Sequence, residues 1–588
     1  MTGVEEKKSK LWFYIFLLAW AAQMMAAVYF CCQKQGFHED EYYSYYSTSR
    51  TYGLFVEDNT WAEHDDYYQE FVVLENQGFQ YALVKQVQSW DVHPPVYYWI
   101  FHTVCSLFSG RFSKWFGLVI NLAAYGVSMF LLRYLALKVT KYNEKLSWLV
   151  CFFYGFTPAV MSSVVFIRMY ALLTVFVYLC AILHVNAVEK YELNALEHDG
   201  LKGGRLSLIR FLLPLAIVTY LGFLTQYYYF IFLFFMALAF CIYLLWKDRN
   251  LWNCIRYGLS VGITFVLAYL TYPSCLGQMF RGQRGAQATS NFFDLSNTLM
   301  RLSFFWQLLD EYVFGKMLWV VLALFILLVI FAIRKGDMCI RKNRNIQNCI
   351  GIQQGKNRGY WLLLFAVTGY FVVVSKTALL LGNTSVRYQV PIYGLVVLLV
   401  FGAIGGSAKR WGKRGDEGIG DEKCGNRKFE SSFQTIDSMS AKADKGCKYG
   451  NLLFLAAIVT CLSINVIGLL SGRVVFLYPE DEGHVAFAQE RAKRTTPVVC
   501  LYDAGQSWCV WDSADEFFEY DRIYFVSQSN TEPIEDATIA ESQDLVVYLG
   551  NTAESEGQLQ RILDSNPDLK SYKLLWQEKY CDVYYFWE

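Results

Sequence analysis

The sequence predicts a polytopic α-helical membrane protein with about 11 transmembrane helices and a small extracytoplasmic α/β domain at its carboxyl end. Its 588 residues are 55% hydrophobic and 18% aromatic but only 18% charged, which is too apolar for an ordinary soluble enzyme. Long apolar runs recur as far as Ser471, whereas the last segment is acidic and has the short alternating runs of a soluble domain. The formal net charge is zero, so we expect no nucleic-acid partner.

The apolar runs are long enough to cross roughly 30 Å of hydrocarbon as helices. We expect spans over residues 11–30, 114–136, 146–166, 169–187, 207–224, 226–246, 253–272, 316–333, 360–380, 388–406 and 451–471.

Basic loops predict the orientation, because short loops rich in Lys and Arg stay in the cytoplasm. Three such loops lie within residues 138–145, 334–358 and 409–414. If these loops and the amino terminus face the cytoplasm, the helices alternate correctly only when residues 93–109 do not cross the membrane. We therefore expect an interfacial or partly inserted helix there, on the outer face.

The same alternation gives the domain boundaries. Residues 1–472 form the transmembrane domain, with a first extracytoplasmic loop at 32–113 and a cytoplasmic insertion at 408–449. Residues 473–588 form the extracytoplasmic α/β domain.

In that domain, apolar runs predict strands at 498–502, 523–526 and 545–549, part of a helix at 557–563, and a final edge strand at 582–587. The sixteen cysteines of the chain show no CxxC pairs and no metal-ligand spacing, so no zinc site is predicted.

The most informative motif is the acidic cluster Glu39-Asp40-Glu41, which follows the first apolar run and begins the large outer loop. A carboxylate at this surface can accept a proton from an acceptor hydroxyl, and we expect burial among neighbouring tyrosines to raise its basicity. The loop ends with His93 just before Pro94-Pro95, where the imidazole can donate a hydrogen bond or carry positive charge.

Two arginines lie at a similar predicted depth. Arg168 is at an outer helix boundary and Arg387 is at the start of a later span. A buried arginine in a membrane protein needs an anionic partner, and a phosphate fits its planar guanidinium group. Acids opposite arginines indicate transfer from a phospholipid-like donor.

These residues carry a family resemblance. Asp40-Glu41, His93-Pro94-Pro95-Val96-Tyr97-Tyr98, Arg168-Met169-Tyr170 and Arg387-Tyr388, in this order, resemble the GT-C membrane glycosyltransferases. The nearest group is the bacterial branch similar to protein O-mannosyltransferases and the lipid A aminoarabinose transferase. The resemblance covers roughly residues 1–410.

The resemblance implies an inverting transferase that moves a sugar from a polyprenyl-phosphate carrier to an extracytoplasmic glycan, lipid or protein hydroxyl at the cell membrane. It implies Asp40 as the catalytic base, with Glu41 beside it. The substrate-binding residues that we expect are His93, Tyr97, Arg168, Tyr170 and Arg387.

Some alternatives stay open. The absence of a P-loop and of a Rossmann glycine fingerprint means that no nucleotide cofactor is expected. The acids leave a divalent metal open as a cofactor. A multi-pass transporter or lipid flippase would also need many helices and charges, and a membrane sensor could use the acidic carboxyl-terminal domain.

Overall fold

Long apolar helices make up most of the computed structural model, which describes residues 3–49, 57–197, 206–248, 251–320, 323, 358–416, 454–551 and 555–588. Within these ranges, seven helices are long and apolar enough to cross a membrane. Two bent helix pairs raise the number to nine if each pair is one span. The chain is therefore a polytopic α-helical membrane protein, as predicted.

The nine spans correspond to nine of the eleven predicted ones. A tenth prediction, residues 451–471, corresponds to the shorter apolar helix Phe454–Leu470. The eleventh, residues 316–333, lies mostly outside the described residues, as does the predicted insertion at 408–449.

The helices of the first 470 residues are numbered in chain order. They are α1 Gly3–Gln33, α2 Glu39–Ser49, α3 His64–Tyr68, α4 Tyr81–Trp90, α5 Val96–Leu107, α6 Trp115–Val139, α7 Glu144–Gly155, α8 Pro158–Val165, α9 Tyr170–Glu197, α10 Leu213–Thr225, α11 Tyr228–Asp248, α12 Leu251–Thr271, α13 Ser274–Phe280, α14 Gln283–Phe293, α15 Thr298–Tyr312, α16 Arg358–Thr377, α17 Val390–Asp416 and α18 Phe454–Leu470.

One predicted span is broken at a proline. The run 146–166 forms α7 and α8, which meet at 55°. Pro158 is at the start of α8, where its missing N–H is tolerated, and the hydroxyl of Thr157 caps that helix by accepting from Val160 N. The amide of Asn121 in α6 then donates to the carbonyls of Val164 and Phe166, which fixes the end of α8. This bend places the segment with Arg168 beside the outer loop.

A second bend, of 75°, joins the 3₁₀ helix Gly382–Tyr388 to α17. Arg387 and Tyr388 are the last two residues of the 3₁₀ helix, directly before this bend. The predicted interfacial segment is the helix α5, whose 12 residues extend only about 18 Å at 1.5 Å per residue and cannot cross roughly 30 Å of hydrocarbon.

The carboxyl-terminal domain contains a six-stranded sheet. Its strands are β1 Thr60–Glu63, β2 Val498–Tyr502, β3 Arg522–Ser527, β4 Asp544–Gly550, β5 Ser571–Gln577 and β6 Cys581–Trp587, in the order β1-β3-β2-β4-β6-β5. Its helices are α19 Asp481–Lys493, α20 Ala514–Phe517, α21 Ala537–Ala540 and α22 Ser555–Ser565. The central strands β3, β2 and β4 are parallel, and the remaining pairs are antiparallel.

Two features of this sheet differ from the sequence prediction. The strand β6 is not at an edge, because β5 pairs outside it with a register shift between Leu574 and Trp576 that obscures the alternating pattern. The other edge strand, β1, comes from the first outer loop and pairs with β3 over a long sequence separation. The indole of Trp61 in β1 also donates to Asp536. The first loop and the carboxyl-terminal domain are therefore built as one unit.

The segment between α1 and α2 also makes a close contact with α19 of the carboxyl-terminal domain. A Cβ added at Gly36, between α1 and α2, would lie 1.6 Å from Oδ2 and 2.8 Å from Cβ of Asp481 in α19. The carbonyl of Leu477 accepts a hydrogen bond from Gln35 N at 2.8 Å. The segment that leads to Asp40 is thus packed directly against α19.

We predict that Gly36→Ala destabilises this contact. The methyl group overlaps most of the Asp481 side chain, so the packing must shift, at a cost of about 1–3 kcal/mol. The control is Gly483→Ala in α19, where a Cβ meets nothing within 4 Å. Thermal unfolding in detergent should show a Tm below that of the parent for Gly36→Ala but not for Gly483→Ala. Equal Tm values for both variants would contradict the contact.

Candidate active site

Asp40 lies at the amino-terminal end of α2, where an acid is favoured by the helix dipole. Its carboxylate is 28% exposed and has two guanidinium neighbours. Arg387 Nη1 is 2.8 Å from Oδ2, and Arg168 Nη2 is 3.8 Å from Oδ1. The acid predicted from the outer loop and both predicted arginines thus converge at one point.

Arg168 lies in the short segment between α8 and α9 and is 3% exposed. Its Nη1 donates to the Asp40 carbonyl at 3.0 Å and to Ser44 Oγ at 3.2 Å. Its guanidinium carbon lies 5.8 Å from the centre of the Tyr98 ring, within cation–π range. These contacts hold the guanidinium against α2.

Arg387 is also 3% exposed and lies between two aromatic rings, 5.1 Å from the centres of both Phe166 and Tyr388. Its Nη2 donates to the Tyr388 hydroxyl at 3.2 Å. Its Nε makes no hydrogen bond with any described residue. Because a buried guanidinium N–H needs an acceptor, this arginine has capacity for a further anionic oxygen.

His93 connects Arg168 to Asp91. Its Nδ1 is 3.1 Å from Asp91 Oδ2. Arg168 Nη2 lies 3.2 Å from Nδ1 and 3.3 Å from Nε2 of the ring. The contacts with Asp91 and Arg168 are both satisfied when Nδ1 carries the proton, donates to Asp91 and leaves Nε2 to accept from Arg168. Burial lowers the pKa of His93, and Arg168 lowers it further, so the neutral ring is favoured over the charged ring that the sequence left open.

The basicity of Asp40 differs from the sequence expectation. Burial by itself would raise the pKa of Asp40, as predicted, but the charges of Arg387 and Arg168 outweigh it. The pKa of Asp40 therefore lies below its ordinary range, and the expectation of raised basicity is wrong for this state of the site. The two arginines also make the surroundings of Asp40 suited to an anion rather than a divalent cation.

Glu41 has different surroundings from Asp40. Its side chain is fully buried and pairs with the fully buried Lys34 at 2.9 Å. Its Oε1 accepts from Ile167 N and its Oε2 from His38 N, each at 2.7 Å. Glu41 thus joins the end of α1, the start of α2 and the segment that carries Arg168. This is the geometry of a positioning residue.

Tyr97 and Tyr170 are both buried near these charges. The Tyr97 hydroxyl has no hydrogen-bond partner among the described residues. The Tyr170 ring stacks on Phe166, with a centroid distance of 6.1 Å, and meets Tyr388 edge-on at 5.8 Å. Tyr170 is therefore part of the aromatic wall around Arg387.

Sequence reasoning missed several neighbours of the acid. Lys34, Ser44, Asp91 and Tyr98 were not assigned any role. The spacing of Asp91 and His93, two residues apart before the prolines, could have suggested their pairing.

No protein-family model matches the chain, and no curated protein matches it. Structural comparison aligns it with ArnT from Cupriavidus metallidurans bound to undecaprenyl phosphate, with a TM-score of 0.47 and 12% identity over 98% of this chain and 97% of that chain. The apo state of ArnT gives 0.42 and 12% over 99% and 98%. The archaeal oligosaccharyltransferase AglB from Archaeoglobus fulgidus, in complex with an inhibitory peptide and a dolichol-phosphate, gives 0.41 and 11% over 91% and 69%.

We predict that Glu41→Gln strongly destabilises the protein. The substitution leaves the Lys34 ammonium buried without a counter-charge, which costs about 3–5 kcal/mol. The control is Glu39→Gln. The Glu39 carboxylate pairs with the half-exposed Lys579, so loss of this pair should cost at most about 1 kcal/mol. The free energy of unfolding, measured in detergent, should decrease much more for Glu41→Gln than for Glu39→Gln. A Glu41→Gln protein as stable as Glu39→Gln would rule out this role of the Lys34–Glu41 pair.

We also predict acid sensitivity through His38. Burial lowers its pKa from 6.5 to about 3, and Arg387 adds to the effect. At His38 the unfolded chain therefore binds one more proton between these pH values, so the contribution of His38 to stability falls as the pH decreases from about 6.5, with a slope of about 1.4 kcal/mol per pH unit.

His38→Gln removes this contribution. Comparing Tm at pH 7 and pH 5, we expect a smaller acid-induced loss for His38→Gln than for the parent. Identical losses would show that His38 is not buried in its neutral form.

Proposed function

We propose that the chain is a GT-C-type membrane glycosyltransferase that transfers a sugar from a polyprenyl-phosphate-linked donor to a hydroxyl of an extracytoplasmic acceptor. The observation that carries the proposal is the convergence of two buried arginines on one half-buried carboxylate. Phosphate recognition and proton abstraction need these groups side by side.

The two arginines are the donor-binding groups in this proposal. A lipid phosphate has more oxygens than the single Asp40 carboxylate, and the unpartnered Nε of Arg387 can donate to one of them. The contact of Arg168 with His93, which Asp91 orients, keeps the guanidinium facing the site. Charge that develops on the departing phosphate is stabilised by groups already in position.

The ion pair explains how Asp40 can have a low pKa and still act as the base. Without donor, Arg387 and Arg168 hold the carboxylate ionised. When the donor phosphate takes over the guanidinium contacts, the stabilisation of the charged carboxylate decreases and its proton affinity increases.

In the reaction, the acceptor oxygen forms a bond to the anomeric carbon and its proton passes to Asp40. The bond between that carbon and the phosphate oxygen breaks, and the polyprenyl phosphate leaves with the electron pair.

A narrow cleft next to Glu39, the neighbour of Asp40, borders the site and has a volume of about 10 Å³. It lies between α2 and the carboxyl-terminal domain and is lined by Tyr43 and Tyr46 on one side and by Trp511 and Tyr580 on the other. This volume holds about one water molecule, so the cleft must widen before an acceptor can enter between its aromatic walls. With the basic loops in the cytoplasm, this cleft faces the extracytoplasmic side.

We predict that Asp40→Asn lowers kcat by about 10² to 10⁴-fold without weakening the binding of polyprenyl phosphate, because it removes the base and leaves both arginines free for phosphate. Arg387→Ala should weaken binding of the carrier and also lower kcat by about 10² to 10³-fold. The measurement is transfer from polyprenyl-phosphate sugars to candidate acceptors, together with carrier binding by the same purified proteins.

The matched control is Asp65→Asn in the same loop, whose side chain is 97% exposed, and it should act like the parent. Equal transfer by Asp40→Asn and the parent would remove Asp40 from this role. Movement of labelled lipid across vesicles without transfer would favour the flippase alternative.

A further inference from the structure

Away from Asp40, three metal-ligating side chains of the carboxyl-terminal domain come together. We call them the His484 cluster: His484 in α19, Glu516 in α20 and Glu578 in the turn between β5 and β6. His484 Nδ1 is 3.6 Å from Glu516 Oε1 and 3.5 Å from Glu578 Oε1. Among the described residues, this is where three such ligand atoms lie within 4.8 Å of one another.

Glu516 is the buried member of the His484 cluster, and the side chains of His484 and Glu578 are 16% and 13% exposed. Glu516 is 3% exposed, and its Oε2 has no hydrogen-bond partner among the residues described. His484 Nδ1 lacks a well-formed hydrogen bond, because the carboxylate oxygens of Glu578 and Glu516 lie 3.5 and 3.6 Å away, at or beyond the limit of hydrogen-bond distance. A buried carboxylate needs either a compensating positive charge or a proton. The nearby cations have other partners, since Lys34 pairs with Glu41 and Lys579 with Glu39.

The spacing of the ligand atoms fits a small divalent ion. Ligands at about 2.1 Å from a tetrahedral Zn²⁺ are separated by about 3.4 Å. The two measured separations from His484 Nδ1, 3.5 and 3.6 Å, are close to this value. Asp481 Oδ1 is 3.9 Å from the same nitrogen but lies outside the group of three, so the fourth position is left to water. One imidazole with carboxylates is a ligand set that zinc accepts.

Neighbouring side chains fix the orientation of the cluster. Trp576 Nε1 donates to Glu578 Oε1 at 3.1 Å, and Ser513 Oγ donates to Oε2 at 2.9 Å. The Trp576 ring also stacks on the His484 ring, with a centroid distance of 4.3 Å and an angle of 7° between the planes. Hydrogen bonds and packing of this kind pre-orient metal ligands.

We propose that the His484 cluster binds one Zn²⁺ through His484 Nδ1 and one oxygen each from Glu516 and Glu578, with water in the fourth position. The ion joins α19, α20 and the β5–β6 turn, whose Lys579 contacts Glu39 beside the candidate active site. The ligands are spread between residues 484 and 578, so cysteine spacing could not reveal them. The proposal is independent of the proposed glycosyltransferase function.

The test uses the full chain, purified in detergent, stripped with a chelator and dialysed against buffer with Zn²⁺. We expect one zinc ion per chain by elemental analysis, and a Tm that rises with zinc concentration. His484→Ala and Glu516→Gln should each lose the bound zinc and the Tm response. His64→Ala, at a partly exposed histidine of the first loop, should retain both.

Zinc that stays bound in both cluster variants would overturn the proposal, and so would a parent protein that binds none. If the two carboxylates share a proton in place of a metal, Glu516→Gln will be as stable as the parent and zinc will not change Tm, which also overturns it. Should the variants fail to fold, Co²⁺ binding to the parent decides. Strong visible absorption of four-coordinate cobalt, displaced by Zn²⁺, supports the site, and its absence contradicts it.

Discussion

The buried ion pair between Lys34 and Glu41 is the interaction on which the candidate active site depends. Both side chains have no exposed surface, and such a pair is stable only when its remaining polar atoms are also satisfied. Lys34 Nζ donates to the Phe476 carbonyl at 2.8 Å, while Glu41 accepts from the backbone of His38 and Ile167. One pair therefore ties together the end of α1, the start of α2, the segment before α9 and the chain that enters the carboxyl-terminal domain.

This arrangement gives the two adjacent acids different roles. Glu41 faces inward and holds the backbone, so that Asp40, one position earlier, lies between the two arginines at the surface of the helical domain. Asp40 is 28% exposed and can reach a substrate, whereas Glu41 cannot. Lys579, in the turn between β5 and β6, pairs with Glu39, so the carboxyl-terminal domain borders the site.

Much of the fold follows from local sequence. Apolar runs predicted the spans because the bilayer sets a minimum helix length, and Asp40, His93, Arg168 and Arg387 could be selected because charges are rare at that depth. Their convergence depends on long-range packing, such as the Asn121 contacts at the end of α8, which no local pattern reports.

The other differences have similar causes. The pairing of β1 with β3 joins residues more than 450 positions apart in sequence, and the register shift in β5 hides its alternation. The shift in the pKa of Asp40 was predicted in the wrong direction. The direction of this shift depends on the distance between Asp40 and Arg387, which is set by tertiary packing.

The most direct test of the central claim is an experimental structure of the protein with polyprenyl phosphate bound. The claim predicts phosphate oxygens within hydrogen-bond distance of Arg168 and Arg387, with the 2.8 Å contact between Asp40 and Arg387 lengthened or replaced. A phosphate bound elsewhere, with that contact unchanged, would contradict it.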